Sequence, residues 1–392
     1  MRVGIHKGAM TALAAGHLGT DFAGGALPAL LPFLTERFSL SYTLAAVVVL
    51  ASTTSSSVVQ PLFGLWSDRR GAPWLLPVGV AVAGIGIALA AAAPSYWLVL
   101  LLVVVSGLGV AAYHPEGSKF AAYASGQRRA SGMSAFSIGG NVGYALGPII
   151  ATPLVIWFGL RGGLLLALPC LAIAVAMLLL LPFLRSFVPD RTGHRQGTGE
   201  SKPRALVLLL GVIAFRSLAW FGLITFVPLW EVSLGHSTAY GNHLLALMLL
   251  GGGLGTIAAG PLADRFGRRP IVLASLAATA PLIAVFVAVG GVLGTLALCG
   301  AGICVIGTFG VTMVMSQEYL PRHIGMASGL SIGLSIGLGG IAVVGLGALA
   351  DAVDLRAALY VCAAAPLAGL VLALRLPSGH VRRQLETEIV LP

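Results

Sequence analysis

The sequence predicts an all-α membrane protein, with about twelve transmembrane helices in two halves of the same internal order. Composition is the first observation, because 57% of the 392 residues are hydrophobic and only 9% are charged. A soluble domain carries about 25% charged residues. The second observation is a succession of apolar runs, each near the roughly 20 residues that cross a bilayer. The third is an internal duplication.

The duplication is clearest in a Gly-x-x-x-Asp-Arg pattern that closes an apolar run. It covers residues 64–71 and returns at residues 260–267, so that the two aspartates lie 196 positions apart. A second pattern, Ala-Ser-Gly-x-Ser at residues 130–134, returns 197 positions later at residues 327–331. Two halves with the same internal order are typical of secondary transporters.

Apolar runs bounded by charge clusters and Pro/Gly turns predict the individual spans. They cover residues 8–34, 42–66, 73–93, 95–123, 131–158, 161–187, 205–231, 238–263, 270–291, 293–319, 326–350 and 355–376. A polar, glycine-rich stretch separates the sixth span from the seventh. The predicted domains are an N-terminal six-helix bundle at 1–187, a cytoplasmic linker at 188–204, a C-terminal six-helix bundle at 205–378 and a cytoplasmic tail at 379–392.

The net charge of +10 follows the predicted topology. If the loops at Asp68 and Asp264 are cytoplasmic, eighteen of the 23 lysines and arginines fall on that side. Three fall on the other side, namely Arg37, Arg161 and Arg356. This asymmetry is the positive-inside rule, and it predicts that both termini lie in the cytoplasm. It also argues against nucleic acid as the partner of the basic residues.

Neither a metal site nor a cofactor is expected. The four cysteines lie in apolar segments without a CxxC or Cys/His spacing, which also disfavours a disulfide. A phosphate-cradling glycine-rich loop ending in Lys-Ser or Lys-Thr is absent from the sequence, so ATP is not expected to drive the protein. The apolar run after Lys7 continues for a full span, which predicts a retained first helix rather than a signal peptide.

The repeated loop resembles the loop motif of the major facilitator superfamily, Gly-x-x-x-Asp-basic-x-Gly-basic-basic. The second copy is complete through Arg268 and Arg269, whereas the first has Ala72 and Pro73 where the last two basic residues would stand. The resemblance implies two pseudosymmetric six-helix bundles around a central cavity, working by alternating access.

Within that superfamily, the first half most resembles fosmidomycin-resistance-type efflux proteins, which confer antibiotic resistance. The matching stretches are His17-Leu18 with Asp21, Gln60-Pro61 with Gly64, Ser67 and Asp68, Tyr113-His114-Pro115-Glu116, and Phe136 through Gly139-Gly140-Asn141 to Leu146-Gly147-Pro148. The second half carries only the general features of the superfamily.

Charged groups inside a membrane are costly, so each is a candidate functional residue. Asp21 lies about 20 Å into the first helix at 1.5 Å per residue, and His17 is one turn earlier on the same face. The two groups could carry the coupled proton, or they could form a structural hydrogen-bonded pair.

Arg216 lies at a comparable depth in the seventh helix, and the repeat offset maps Asp21 onto its neighbour Ser217. The resemblance places the first and seventh helices on opposite sides of the cavity. Arg216 could therefore face Asp21, could receive an anionic substrate through its guanidinium fork, or could form a permanent structural ion pair.

The fourth helix contributes His114 and Glu116 as further candidates for proton coupling, and Tyr113 as a candidate for substrate binding. Glu116 and Lys119 are three residues apart and could neutralise each other on one helix face. Glu116 is then either part of the proton site or half of a static lock between helices.

The fifth helix carries Gly143-x-x-x-Gly147-Pro148, which resembles the helix 5 motif of drug/proton antiporters and favours efflux over uptake. The glycines offer a smooth face for close packing. Asn141 could bind substrate or bridge two helices, and Trp220 and Gln60 are predicted to line the substrate site.

The repeated loop predicts a cytoplasmic gate. An acidic group near a helix N-terminus is stabilised by the helix dipole, and neighbouring arginines can pair across two bundles. Topology alone would also make these loops basic. The predicted gating residues are Asp68, Arg69, Asp264, Arg265, Arg268 and Arg269.

The sequence therefore predicts a monomeric, proton-coupled antiporter that exports small anionic or amphipathic compounds, and not an enzyme. An importer or facilitator with the same fold is the nearest alternative. A membrane-embedded enzyme is an alternative of another class, and it would need His17, Asp21, His114 and Glu116 to act as a metal or catalytic site.

Overall fold

The computed structural model describes residues 4–70, 72–126, 129–186, 200–321 and 324–377, and these residues form helices joined by short turns. The predicted tail at 379–392 lies outside them, as does most of the predicted linker. The helices are α1 Lys7–Phe38, α2 Tyr42–Arg70, α3 Leu75–Ala91, α4 Tyr96–Ala124, α5 Arg129–Phe158, a 3₁₀ helix Leu160–Leu166, α6 Ala167–Arg185, α7 Pro203–Ser233, α8 Thr238–Phe266, α9 Arg268–Val289, α10 Gly291–Gly307, α11 Phe309–Tyr319, α12 Ile324–Ala352 and α13 Leu355–Ala373.

These helices make the twelve passes that the apolar runs predict. Ten described segments are long and apolar enough to cross a membrane, and α3 is a shorter apolar helix. The twelfth pass is α1, whose 32 residues include His17, Asp21 and two prolines that lower its hydropathy. The 3₁₀ helix and α6 form one pass, as do α10 and α11.

The tenth pass was predicted as one helix over 293–319, and the structure breaks it at Thr308. The Thr308 hydroxyl donates to the carbonyl of Cys304, a side-chain bond that competes with helix continuation. The preceding Gly307 lies against the backbone of Gly255 on α8, an approach that a side chain would block. The break thus lies where the close contact between α10 and α8 ends.

Because the passes alternate in direction, the ends of the helices define two faces of the molecule. We call the face that carries the end of α6 and the start of α7 the linker face, and the opposite face the distal face. Helices α1 and α7 begin at the linker face, whereas α2 and α8 begin at the distal face.

Helices α1 and α5 form the closest seam of the N-terminal bundle. A Cβ atom added at any of three α5 glycines would overlap the backbone of α1. The glycines recur every four residues, so they share one helix face, which confirms the predicted close packing. The contacts are Gly139 on Ala14, Gly143 on Leu18 and Gly147 on Gly25.

The two bundles meet along two helix pairs, α2 with α12 and α5 with α8. Near the distal face, Asp351 of α12 accepts hydrogen bonds from the start of α2, and Asn242 of α8 reaches α1 and α5. Deeper in the membrane, Asn141 of α5 donates to Thr256 of α8 at 3.1 Å. These contacts close the distal side of the molecule.

The α1–α5 seam predicts unequal effects for one substitution at two helical glycines. Gly143→Ala should lower the stability by about 1–3 kcal/mol, because the new methyl group overpacks against the backbone of Leu18. Gly345→Ala on α12 is the matched control, since nothing lies within 4 Å of its added Cβ. Thermal unfolding in detergent measures both, and equal unfolding temperatures would contradict the seam.

Candidate functional site

A cluster of three titratable side chains joins α1 to α4. The carboxylate of Asp21 lies 3.2 Å from Nε2 of His17 through one oxygen and 3.1 Å from Nε2 of His114 through the other. His17 and Asp21 share a helix face, as their four-residue spacing predicts. Their side chains are 12% and 21% exposed, and that of His114 is 21% exposed. The cluster is therefore shielded but reachable by water.

Helix α5 fixes the orientation of His17. Nδ1 of His17 donates to the carbonyl of Phe136 at 2.9 Å, and the two rings stack with centroids 4.2 Å apart. One turn further along α5, Gly140 leaves the space that His17 and Asp21 occupy, since a Cβ there would lie 2.5 Å from Oδ2 of Asp21. The cluster thus depends on α1, α4 and α5 together.

The hydrogen bond to Phe136 fixes which nitrogen of His17 faces Asp21. A carbonyl oxygen only accepts, so Nδ1 of His17 carries a hydrogen for Phe136. Nε2 is then the atom that lies 3.2 Å from the Asp21 carboxylate. A proton taken up between Nε2 and the carboxylate would join them by a charged hydrogen bond.

The same three residues could also hold a cation. Their ligand atoms all lie within 4.8 Å of one another. Two imidazole nitrogens and a carboxylate oxygen are a donor set that transition metals accept. The sequence predicts no metal, and a cation here would replace the proton on the pair, because both use the same lone pairs.

Tyr113 packs beside the cluster, between α4 and α1. It is fully buried, its hydroxyl donates to the carbonyl of Leu13 at 2.5 Å, and its ring stacks near His17. Gly16 accommodates it, because a Cβ there would lie 2.6 Å from the hydroxyl. In this arrangement Tyr113, a predicted substrate contact, packs α4 against α1.

The remaining predicted substrate residues lie on other helices. Asn141 bonds Thr256 across the two bundles, which is the bridging alternative for this residue. Trp220 of α7 lies against Tyr144 of α5, with ring centroids 6.1 Å apart. The side chains of the cluster come from α1 and α4, so the buried Gln60 on α2 is not part of it.

Glu116 is separate from the cluster although it lies two residues after His114. Its carboxylate is 3.0 Å from Nζ of Lys119, the pairing that the three-residue spacing predicts. The Glu116 side chain is 1% exposed and that of Lys119 is 20% exposed. The ion pair gives Glu116 a structural partner on its own helix.

Arg216 is the buried cation of the other bundle. It donates to the hydroxyl of Thr312 at 3.0 Å, and its guanidinium lies 5.4 Å from the ring centroid of Phe309. Among the described residues, no carboxylate lies within ion-pair distance of it. Asp21 and Arg216 therefore do not form an ion pair in this structure, and each is held within its own bundle.

The second copy of the repeated loop is helical almost throughout. Asp264 and Arg265 lie in the last turn of α8, and Arg265 covers the ring of its neighbour Phe266. Asp264 is thus at the C-terminal end of α8 and four residues before α9 begins, because the turn between the two helices contains only Gly267. The end of a helix is where its dipole disfavours an anion.

Arg268 and Arg269 tie the start of α9 to its own bundle. Arg268 forms an ion pair with Glu318 of α11. Arg269 donates to the carbonyl of Leu374 at the end of α13, at 2.6 Å. In the first copy, the backbone of α2 is helical through Arg70, and the side chains of Asp68 and Arg69 lie outside the described residues.

Comparison with known proteins decides the family. The sequence profile of the Major Facilitator Superfamily matches residues 13–331 and 209–389. An uncharacterized MFS-type transporter of Bacillus subtilis (strain 168), YfnC, is 34% identical over 382 residues, or 94% of this chain and 92% of that protein. This chain belongs to the major facilitator superfamily.

Two further comparisons place it within the superfamily. The fosmidomycin resistance protein of Escherichia coli (strain K12) is 32% identical over 383 residues, covering 93% of this chain and 91% of that protein. The crystal structure of the nucleoside transporter NupG covers 94% of this chain and 98% of its own, with a TM-score of 0.71 at 13% identity. The structural likeness confirms the superfamily fold, and the sequence likeness confirms the resemblance to fosmidomycin-resistance proteins.

Sequence reasoning missed several residues around the sites of this superfamily member. Phe136 and Gly140 belong to a stretch that matches the efflux proteins, but the sequence assigned them no role. Their contact with His17 depends on the packing of α5 against α1. Thr312 and Phe309, which hold Arg216, gave no signal beyond their position in an apolar run. For these residues, only the known order of helices in the superfamily could have suggested proximity.

The Glu116–Lys119 pair leads to a stability prediction. Glu116→Gln should cost about 2 kcal/mol, less than for a fully buried pair, because Lys119 is partly exposed. Adding Lys119→Met should recover much of the loss, since it removes the uncompensated cation. Unfolding in detergent measures both variants. Unchanged stability in Glu116→Gln, together with an altered pH dependence of transport, would instead assign Glu116 to the proton site.

Proposed function

We propose that this superfamily member is a proton-coupled antiporter of the bacterial inner membrane that exports small anionic or amphipathic compounds. The observation that carries the proposal is the Asp21 carboxylate, held between two imidazoles about 20 Å from the start of α1. A buried, water-accessible cluster that holds an exchangeable proton is what coupling requires.

The chemistry of the cluster favours proton exchange over a static role. Asp21 and His114 keep about a fifth of their side-chain surface exposed, so water can bring a proton to the carboxylate. Loss of the proton from the His17–Asp21 pair leaves a carboxylate facing an imidazole lone pair, which is unfavourable in the membrane interior. Proton loss therefore changes the energy of the N-terminal bundle and can bias its orientation.

The substrate site is proposed on the opposite bundle, at Arg216. Arg216 lies about 20 Å along α7 from the start of that helix, which is the depth that Asp21 has in α1. It is 4% exposed, and its contacts with Thr312 and Phe309 are both to uncharged groups. A guanidinium fork without a carboxylate partner suits a phosphonate or carboxylate ligand.

Export follows from linkage between the two sites. If substrate at Arg216 favours one orientation of the bundles and the proton at Asp21 the other, each ligand displaces the other across the membrane. The inward proton gradient then drives the substrate outward. The name of the Escherichia coli relative supports this direction, because resistance to a compound is what its export produces. Both termini and the linker face are proposed to lie in the cytoplasm.

The deciding experiment measures proton movement in proteoliposomes loaded with a pH-sensitive dye. Adding fosmidomycin should evoke a pH change with the unaltered protein and none with Asp21→Asn, because the amide cannot take up a proton. Asp354→Asn is the matched control, since Asp354 caps α13 at the distal face and asparagine caps equally well. The control should retain the pH change.

Three outcomes distinguish the alternatives. Substrate flux without a pH change makes the protein a facilitator or an exchanger of another kind. A pH change that survives Asp21→Asn removes the coupling role from the cluster. A pH change whose sign shows that protons and substrate cross the membrane in the same direction makes the protein a symporter. That result excludes export driven by the inward proton gradient.

Arg216 leads to a separate prediction about affinity. Arg216→Ala should weaken binding of an anionic substrate by about ten- to hundredfold, because a hydrogen bond to a charged group is worth about 1.5–3 kcal/mol. Arg216→Lys should retain part of the affinity, since it keeps the charge and loses the fork. Thr312→Val keeps the guanidinium and removes the hydroxyl that it donates to, so its loss of affinity should be smaller than that of Arg216→Ala. Equal affinity in all four proteins would exclude Arg216 from the substrate site.

A further inference from the structure

The cluster around Asp21 presents the donor atoms of a metal site. Nε2 of His17, Nε2 of His114 and a carboxylate oxygen of Asp21 all lie within 4.8 Å of one another. Two ligands of a tetrahedral zinc ion, each about 2.0 Å from the metal, stand about 3.3 Å apart. The two nitrogens are already 3.2 and 3.1 Å from oxygens of the carboxylate. Small side-chain rotations are therefore enough to bring all three donors onto one ion.

The hydrogen bond on the far side of His17 prepares its Nε2 for a metal ion. Nδ1 donates to the carbonyl of Phe136 at 2.9 Å, so in the neutral imidazole Nε2 carries the lone pair and faces the Asp21 carboxylate. Metal-bound histidines almost always donate their other N–H to a carbonyl or a carboxylate, which fixes the tautomer and the ring orientation. A lone pair facing a carboxylate needs a cation between them, and a metal ion supplies one as well as a proton does.

The space and the charge of the cluster also suit a cation. Gly140 of α5 faces the donors without a side chain, and a Cβ there would lie 2.5 Å from Oδ2 of Asp21 and 2.6 Å from Nε2 of His17. In the described part of the chain, no lysine or arginine lies within ion-pair distance of Asp21. The two imidazoles therefore balance the carboxylate only when they carry a proton or share a metal ion.

The donor set selects the class of ion. Mg²⁺ and Ca²⁺ prefer sites built from oxygen ligands, whereas two imidazole nitrogens with one carboxylate suit Zn²⁺ and its first-row neighbours. Three protein ligands leave the fourth tetrahedral position open for water or an anion, unlike the closed sites of structural zinc. Asp21 and His114 are each 21% exposed, so the ion can enter and leave through water. The geometry therefore fits an exchangeable ion.

We propose that His17, Asp21 and His114 form a reversible binding site for Zn²⁺ or a chemically similar transition-metal ion, which occupies the place of the exchangeable proton and inhibits transport. A metal bound to Nε2 of His17 and to the carboxylate uses the lone pairs that a proton would use, so the two cations exclude each other. The binding of the metal is independent of what the protein transports. The inhibition rests on the proposed proton coupling.

Cobalt titration of the purified full chain tests the binding directly. Co²⁺ substitutes for Zn²⁺ and absorbs visible light strongly in a tetrahedral site, so the absorption should saturate at one ion per chain and disappear when Zn²⁺ displaces it. The chain is purified without a polyhistidine tag. His114→Gln and Asp21→Asn each remove one ligand and keep a side chain that can hydrogen-bond within the cluster. Each should weaken binding by at least about a hundredfold, since loss of an outer hydrogen-bond partner alone costs about ten- to hundredfold.

His236→Gln is the matched control for the titration. His236 pairs with the carboxylate of Glu231 at 2.6 Å, and no third histidine, cysteine or carboxylate completes a metal site there among the residues that the structure describes. The variant should bind Co²⁺ as the unaltered protein does. Loss of binding in His236→Gln, or binding of equal strength in His114→Gln, Asp21→Asn and the unaltered protein, would overturn the site.

Proteoliposomes test whether the metal ion excludes the coupled proton. Zn²⁺ should suppress the pH change that fosmidomycin evokes, at the concentrations that displace Co²⁺, and a chelator should restore it. His236→Gln should be inhibited to the same extent as the unaltered protein. Zn²⁺ that displaces Co²⁺ and leaves the pH change intact would overturn the shared site. If the pH change is absent even without Zn²⁺, the proposed function fails, and the cobalt titration alone decides the metal site.

Discussion

The need to compensate charge inside the bilayer governs this structure. A charged side chain at membrane depth is expensive, so it must find hydrogen bonds or an opposite charge. Asp21 finds two imidazoles, Glu116 finds Lys119, and Arg216 finds the hydroxyl of Thr312. Each of these charges is compensated by groups of its own bundle. The bundles are therefore free to move against each other without stranding a charge at every step.

The seam between α1 and α5 gives the site its rigidity. Three glycines of α5 lie on the backbone of α1, and between the first and second of them Gly140 makes room for the cluster. Phe136 orients His17 from the same stretch of α5. Because this stretch also carries Asn141, which contacts α8, the cluster and one interface between bundles share a single helix segment. A movement of α5 would therefore disturb both the cluster and the interface with α8.

The sequence predicted what depends on periodicity and repetition. Twelve passes, the superfamily fold and the pairing of His17 with Asp21 follow from apolar runs, a duplicated motif and i,i+4 spacing. It could not predict contacts between distant helices. His114 of α4 contacts Asp21 of α1, and no pattern in a single sequence indicates a contact between residues so far apart. Asn242 lies near the start of a span and belongs to no motif, so the sequence does not indicate its contacts with α1 and α5. The break at Thr308 falls inside a continuous apolar run, so a hydropathy pattern does not indicate it.

The contacts at the distal face also bear on how the halves of the chain complement each other. Asp351 of the C-terminal half caps the first turn of α2, and Asn242 of the same half donates to the Ala29 carbonyl and to the Thr152 hydroxyl. The C-terminal half thus supplies the longer polar side chains, and the N-terminal half supplies the groups that they bind. Copies in origin, the two halves contribute unlike parts to a single contact surface.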